Sequence, residues 1–104
     1  ADPWRPVVIP TGTGGHIWPS ALALADWLHT RRESYLSEHA DVLELGAGCG
    51  LPGLCAAVLG CHRVVLTDYE AQVLAGLEHN IKLNAGRLRS PVEAAKLDWT
   101  EVVA

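Results

Sequence analysis

Two apolar rhythms alternate along this chain. From Pro19 onward, Ala21, Leu24 and Leu28 recur at i, i+3, i+7 with Trp27 beside them, which is the spacing of one helical face. Pro19 suits a first helical turn, so the pattern predicts a helix from there to Arg32 or Leu36, its apolar face packed on a sheet. Val42, Leu43 and Leu45 then form a short strand-like run whose only charge is Glu44. Leu51 to Leu59 opens a buried helix, its body spanning about Leu54 to Leu59, with Gly60 placed to end it in a left-handed cap. Arg63 to Asp68 reads as a second strand, and its continuous Val64-Val65-Leu66 run is the pattern of a parallel strand covered on both faces. Tyr69 to Asn84 returns to helical spacing through Val73, Leu77 and Ile81, with Leu74 alongside. Ala85 to Pro91 is a loop, and Val92 to Trp99 a third strand. Ahead of all these, Pro3, Pro6 and Pro10 exclude a helix, and Val7-Val8-Ile9 is expected to pair briefly at a sheet edge.

The stretch from Asp41 to Gly53, DVLELGAGCGLPG, joins the first strand to the helix after it. Glycines at 46, 48 and 50 let the backbone turn sharply and let a ligand approach where no Cβ stands in the way. A dinucleotide fingerprint would need G-x-G-x-x-G, but its third position here is Leu51. A P-loop would need a Gly-Lys-Ser/Thr ending, and the loop holds no lysine. Such a turn is poorly suited to gripping phosphates and suits a ligand with an amino-acid part and a nucleoside part. Asp68 closes the second strand near the ~20-residue separation at which a carboxylate meets a ribose in such units. Thr11 to Gly15 has neither the lysine nor a preceding strand of a phosphate loop and is rejected as one.

Composition narrows the classes. The chain has 104 residues, enough for one small domain, and a net charge of −4, which leaves no basic footprint for nucleic acid or an anionic membrane. Three cysteines without a C-x-x-C argue against a disulfide framework or a zinc site, and favour buried free thiols in a reducing compartment. The five histidines show no metal-ligand spacing. A cytoplasmic location, with the nucleus as the alternative, is the default expectation.

An acidic residue before G-x-G-x-G and another ending the next strand resemble the S-adenosylmethionine-dependent methyltransferases of the seven-strand, Rossmann-like class. Gly15, Trp18, Pro19 and Ser20, followed by Glu44 to Gly53, are similar to the methyltransferase family 16 group, mostly protein methyltransferases acting on lysines of non-histone proteins. The resemblance implies an α/β, Rossmann-like half-domain with parallel strands in the order 3-2-1 and flanking helices. It implies a cofactor site, for S-adenosyl-L-methionine, on Trp18, Glu44, Gly46, Ala47, Gly48, Gly50, Asp68, Tyr69, Asp98 and Trp99. In the family the tryptophan ahead of the first helix packs on the cofactor; Asp98 would accept from the adenine amino group and Trp99 would cover the ring. Asn80 and Asn84 fit the family's N-I-x-x-N but are expected to act as polar or capping residues. Glu44, Asp68 and Asp98 are expected to converge at neighbouring strand tips, where parallel sheets bind ligands.

Methyl transfer from a sulfonium is an in-line displacement in which alignment supplies roughly 7–11 kcal/mol. It calls for no metal and no catalytic triad, and no catalytic residue is assigned here. The family's Asp-x-x-Tyr segment after the fourth strand has no counterpart in these residues. The chain, which contains no methionine, is therefore expected to be a single cofactor-binding domain over residues 1–104 that stops after its third strand, inactive alone. The expected partner is a protein presenting a lysine. Self-association is expected through the open edge of the first strand, at Val42, Leu43 and Leu45. An arginine acceptor within the same class, an NAD-dependent oxidoreductase and a non-catalytic interaction module are the competing readings.

Overall fold

A computed structural model describes residues 7–9 and 17–101. In chain order the elements are α1 (Pro19–Thr30), α2 (Arg32–Tyr35), β1 (Asp41–Glu44), α3 (Leu51–Val58), β2 (Arg63–Asp68), α4 (Ala71–Asn84) and β3 (Val92–Lys96). The strands form one parallel sheet in the order β1-β2-β3, the expected 3-2-1 sequence read from its other edge. Each crossover steps the same way along the sheet, so right-handed connections put α3 and α4 on the same face. The packing agrees: Leu54 of α3 and Leu77 of α4 join Val64 and Leu66 of β2 in one buried cluster.

Strand alternation sorts the side chains. Val42 and Glu44 lie opposite Val64 and Leu66, which lie opposite Val92 and Ala94, and this set faces the helices. The other face carries Leu43, Leu45, Val65 and Ala95. Leu43 is 61% and Leu45 53% exposed, so among the described residues the sheet is covered on one face, not on the two that β2's apolar run suggested. All eight residues of α3 are buried, because the helix lies between the sheet and α1 and is apolar all round.

The helix α3 begins at Leu51 rather than Leu54. Pro52 fits its first turn, and Gly50, with φ of 83°, turns the chain into it. It ends as expected: Gly60 takes φ of 91°, its N–H reaches the carbonyl of Ala57, and Cys61 N–H reaches that of Ala56, a Schellman motif.

The first helix differs more. It packs on α3, not on the sheet, and it does so through Ala25, which is buried against Leu51 and Cys55 with Ala21 alongside. The small Ala25 and Cys55 let the two helices approach closely. That turns the contact face by one residue and leaves Leu24 and Trp27, expected at or beside it, 44% and 39% exposed. The helix stops at Thr30, and Arg31 breaks it from the short α2.

Residues 7–9 form no strand. Asn84 stands in for one: its Oδ1 accepts from Val8 N–H at 2.7 Å and its Nδ2 donates to Val8 C=O at 2.9 Å. Val7 and Ile9 thereby reach the core. Asn80 donates to the carbonyl of Cys49 at 2.9 Å, so both asparagines of N-I-x-x-N are buried structural ties rather than caps. Cys55 and Cys61 are buried free thiols and Cys49 is partly buried. Thr11 to Gly15, with the Gly15 of the Trp-Pro-Ser motif, lies outside the described residues.

Candidate functional site

The carboxyl ends of the three strands and the glycine turn are laced together by the backbone. Ala47 N–H donates to Thr67 C=O at 2.8 Å, Gly50 N–H to Ala47 C=O at 2.8 Å, and the Thr67 hydroxyl to Glu44 C=O at 2.7 Å. Gly46 and Gly48 have φ of 60° and 57°, and, chain neighbours aside, none of the described residues lies within 4 Å of where a Cβ would stand on either. The turn thus presents bare backbone to open space. Gly50 is different: a Cβ there would meet Leu77 and Leu66 of the core.

Asp68, at the tip of β2, holds this arrangement from the other side. Its Oδ2 accepts from Gly48 N–H at 3.3 Å, and its Oδ1 from Tyr69 N–H at 2.8 Å and Glu70 N–H at 3.4 Å. Leu97 N–H donates to Asp68 C=O at 3.0 Å, which carries β2's pairing past the end of β3. Strand three ends at Lys96 instead of Trp99. The chain then folds into a 3₁₀ turn, Trp99–Glu101, with Asp98 Oδ1 accepting from the N–H and hydroxyl of Thr100 at 2.9 and 2.6 Å. These bonds, the hydroxyl's first, hold the Asp98 carboxyl below its usual range. The exposed Tyr69 phenol is pushed up, first by its hydrogen bond to Glu70.

Between these elements lies a cleft of about 460 Å³ lined by Gly46, Asp68, Tyr69, Leu97, Asp98, Trp99 and Thr100. Five of the residues singled out from the sequence line it. The other five do not. Ala47, Gly48 and Gly50 shape the turn behind it, and Trp18 is exposed at the start of α1. Glu44 turns away, as strand alternation requires of a residue sharing a face with Val42. Its Oε1 accepts from Gly53 N–H at 2.9 Å, in the first turn of α3.

Leu97 and Thr100 were not picked out from the sequence, and neither was Gly53. A Cβ on Gly53 would run into Leu66 and stand 2.9 Å from Glu44 Oε1. It therefore does the close-packing work that the third glycine does in a dinucleotide fold. Its position two residues after Leu51, next to Pro52, was the available signal.

Burial pushes the Glu44 carboxyl up to about 7, against the opposing pull of the Gly53 N–H. Burial also pushes Cys55 up to about 12, with the nearby Glu44 charge adding to it. For an acid whose folded value lies above its unfolded one, folding takes up a proton. The stabilisation is full below pH 4.5 and is lost as pH rises through about 7. The whole swing amounts to about 3 kcal/mol. Glu44→Gln should therefore gain stability relative to the parent as pH rises from 5 to 8; parallel curves in urea titrations at several pH values would show that the carboxyl does not titrate there.

A family model described as lysine methyltransferase matches residues 9–104. The chain belongs to this lysine methyltransferase family. It is 36% identical over 108 residues to the mouse protein-lysine N-methyltransferase EEF2KMT, a match covering 93% of the chain and 32% of that relative. It is 41% identical over 87 residues to mouse protein-lysine methyltransferase METTL21E, covering 83% and 35%. To the protein N-terminal and lysine N-methyltransferase EFM7 of Gibberella zeae it is 42% identical over 93 residues, covering 81% and 34%. The chain thus spans about a third of the length of these relatives. The cleft lies beyond the carboxyl ends of the strands, where a parallel sheet binds its ligand.

Proposed function

We propose that this chain is the S-adenosylmethionine-binding part of a protein-lysine N-methyltransferase, forming one domain over residues 1–104 whose remaining strands belong to the longer protein. One observation carries the reading: the five cleft residues Gly46, Asp68, Tyr69, Asp98 and Trp99 surround a space of the size small ligands take. The donor set suits the cofactor. Gly46 offers a wall without side chains, Tyr69 and Trp99 offer exposed rings for a base, and two carboxylates favour a cationic ligand. Asp68 would hold the ribose hydroxyls, Asp98 the adenine amino group, and Trp99 the adenine face. When bound, the cofactor supplies a methyl group on a sulfonium. The chain's own part is to orient that nucleoside, to shield it from water, and to hold the turn through Glu44 and Asp68. The lysine acceptor has to arrive neutral, and its deprotonation is assigned to residues beyond this chain. The free thiols fit a reducing compartment, cytoplasm or nucleus.

Tryptophan fluorescence on the protein, titrated separately with S-adenosylhomocysteine and NAD, tests this. Saturable quenching is expected with the first alone. Trp99→Ala should weaken binding by a factor of about 5 to 150, the range for base stacking on an aromatic ring. Equal response to NAD, or an unchanged affinity in the variant, would overturn the reading.

The edge of β1, which is unpaired among the described residues, and the apolar face beside it, Leu43 and Leu45, support self-association of the chain when nothing else covers them. Sedimentation velocity should show a concentration-dependent dimer that Leu43→Lys with Leu45→Lys dissolves. A parent that stays monomeric at about 100 μM would rule this out, since weak specific association lies in the micromolar range.

A further inference from the structure

We propose that the outer flank of α1 and its elbow with α2 form a docking site for a protein segment that carries a carboxylate beside apolar side chains. The site shares no residue with the cleft and does not depend on what the cleft binds.

The helix α1 carries two apolar faces, and among the described residues only one is used. Ala21, Ala25 and Leu28 face α3 or the core. Leu24 and Trp27 fall at i and i+3 on the flank, and Arg31, the residue just past the helix, continues the stripe by lying over the Trp27 ring. Tyr35, 58% exposed, extends it across the elbow, its ring 5.2 Å from that of Trp27 and tilted by 34°. The stripe is held in place before any partner arrives. Leu36, next to Tyr35, is buried in the core and fixes the elbow, and the Arg31 guanidinium lies 4.7 Å over the Trp27 ring.

Arg31 decides the partner's chemistry. It is exposed and forms no ion pair among the described residues, although acidic side chains outnumber basic ones in this chain. The neighbouring Arg32 is already engaged, donating from Nη1 to the carbonyl of His29 at 2.7 Å. A guanidinium fixed by stacking offers its remaining N–H groups as a planar fork, which matches a carboxylate. Trp, Tyr and Arg together are the residues that dominate binding energy at protein interfaces, and here they are rimmed by Leu24. A second copy does not fit as well. In a two-fold contact the patch meets a copy of itself, and Leu24, Trp27 and Tyr35 supply no carboxylate to receive the partner copy's guanidinium.

The probe is a blocked peptide in which Asp and Glu alternate with Leu and Phe, compared with the same peptide carrying Lys in place of each acid. In heteronuclear NMR of the full chain, the acidic peptide should shift the Trp27 indole and the amides around Leu24, Arg31 and Tyr35, leaving those of Gly46 and Asp98 unmoved. Arg31→Glu should lower its affinity about tenfold or more and raise that of the lysine peptide, as charge reversal at a paired position does. Trp27→Ala should weaken both. Arg31 is exposed, so the charge-reversed chain should keep its far-ultraviolet circular dichroism; Arg31→Ala serves as a second variant. Equal binding of the two peptides, no binding at millimolar concentration, or shifts centred elsewhere would overturn the proposal. So would a dimer that Arg31→Glu dissolves, or binding to phosphatidylserine vesicles in preference to the acidic peptide.

Discussion

Gly53→Ala should destabilise the chain by about 2 kcal/mol net, whereas Gly76→Ala should stabilise it by about half of one. Both glycines sit inside helices, so alanine improves helix propensity at each by up to about 1 kcal/mol. Their surroundings separate them. Around Gly76, apart from its chain neighbours and the helix's own backbone, no atom of the described residues lies within 4 Å of the added methyl. At Gly53 the methyl would enter the Leu66 side chain, stand 2.9 Å from Glu44 Oε1 and 3.2 Å from Val64 Cγ1. Leu66 and Val64 have no room to yield, being 0% and 1% exposed. Either α3 lifts off the sheet or Glu44 loses its bond to the Gly53 N–H, and overpacking of this kind costs about 1–3 kcal/mol or more. In a domain of this length, 2 kcal/mol lowers the melting temperature by roughly 10 °C. Thermal unfolding of the two variants beside the parent makes the comparison. A Gly53→Ala chain as stable as Gly76→Ala would mean that the strand–helix contact is looser than described.

Most of the fold was legible because it is local. Gly60 ends α3, and Val73, Leu77 and Ile81 set the face of α4; each acts within a few residues of its own position. The misreadings share a cause. Leu24 is more hydrophobic than Ala25, so a hydrophobic pattern assigns the packed face to Leu24. Two helices in contact select the smaller residue, and nothing in the sequence says that α1 would meet a helix rather than the sheet. The end of β3 was lost for a similar reason. Leu97 keeps one bond to β2, but the Asp98–Thr100 turn competes for the backbone and takes it into a 3₁₀ turn.

The cleft divides along the same line. Asp68, Tyr69, Asp98 and Trp99 could be found because a parallel sheet puts its ligand beyond the strand ends, and all four stand at or within three residues of the end of β2 or β3. Glu44 also stands at a strand end, yet alternation from Val42 already pointed it at the helices. Its consequence is electrostatic and mechanical rather than a contact. A buried carboxyl with a value of about 7 anchors the first turn of α3, and through it the glycine turn. Leu97 and Thr100 line the cleft only because the chain bends after Lys96, a bend with no glycine or proline to announce it.

Asp68→Ala should lower cofactor affinity about 100-fold, and the Asn variant separates the two ways in which it can do so. The carboxylate gathers three backbone N–H groups, from Gly48, Tyr69 and Glu70, and so ties the glycine turn to the tip of β2. It also lines the cleft, where it is proposed to receive the ribose hydroxyls. A hydrogen bond to a charged acceptor contributes about 1.5–3 kcal/mol, or roughly 10- to 150-fold in affinity for each that a ligand loses. Removing the side chain deletes the ligand contact and loosens the turn together. Asp68→Asn keeps one oxygen, enough for Tyr69 N–H, but replaces the other with a donor that faces Gly48 N–H and carries no charge. If the charge toward the ligand dominates, Asn should bind the cofactor nearly as weakly as Ala while unfolding close to the parent. If bracing dominates, Asn should lie between parent and Ala in stability and in affinity alike. Calorimetric titration with S-adenosylhomocysteine, beside urea unfolding of the three chains, distinguishes the outcomes. An Ala variant that binds like the parent would remove Asp68 from the site altogether.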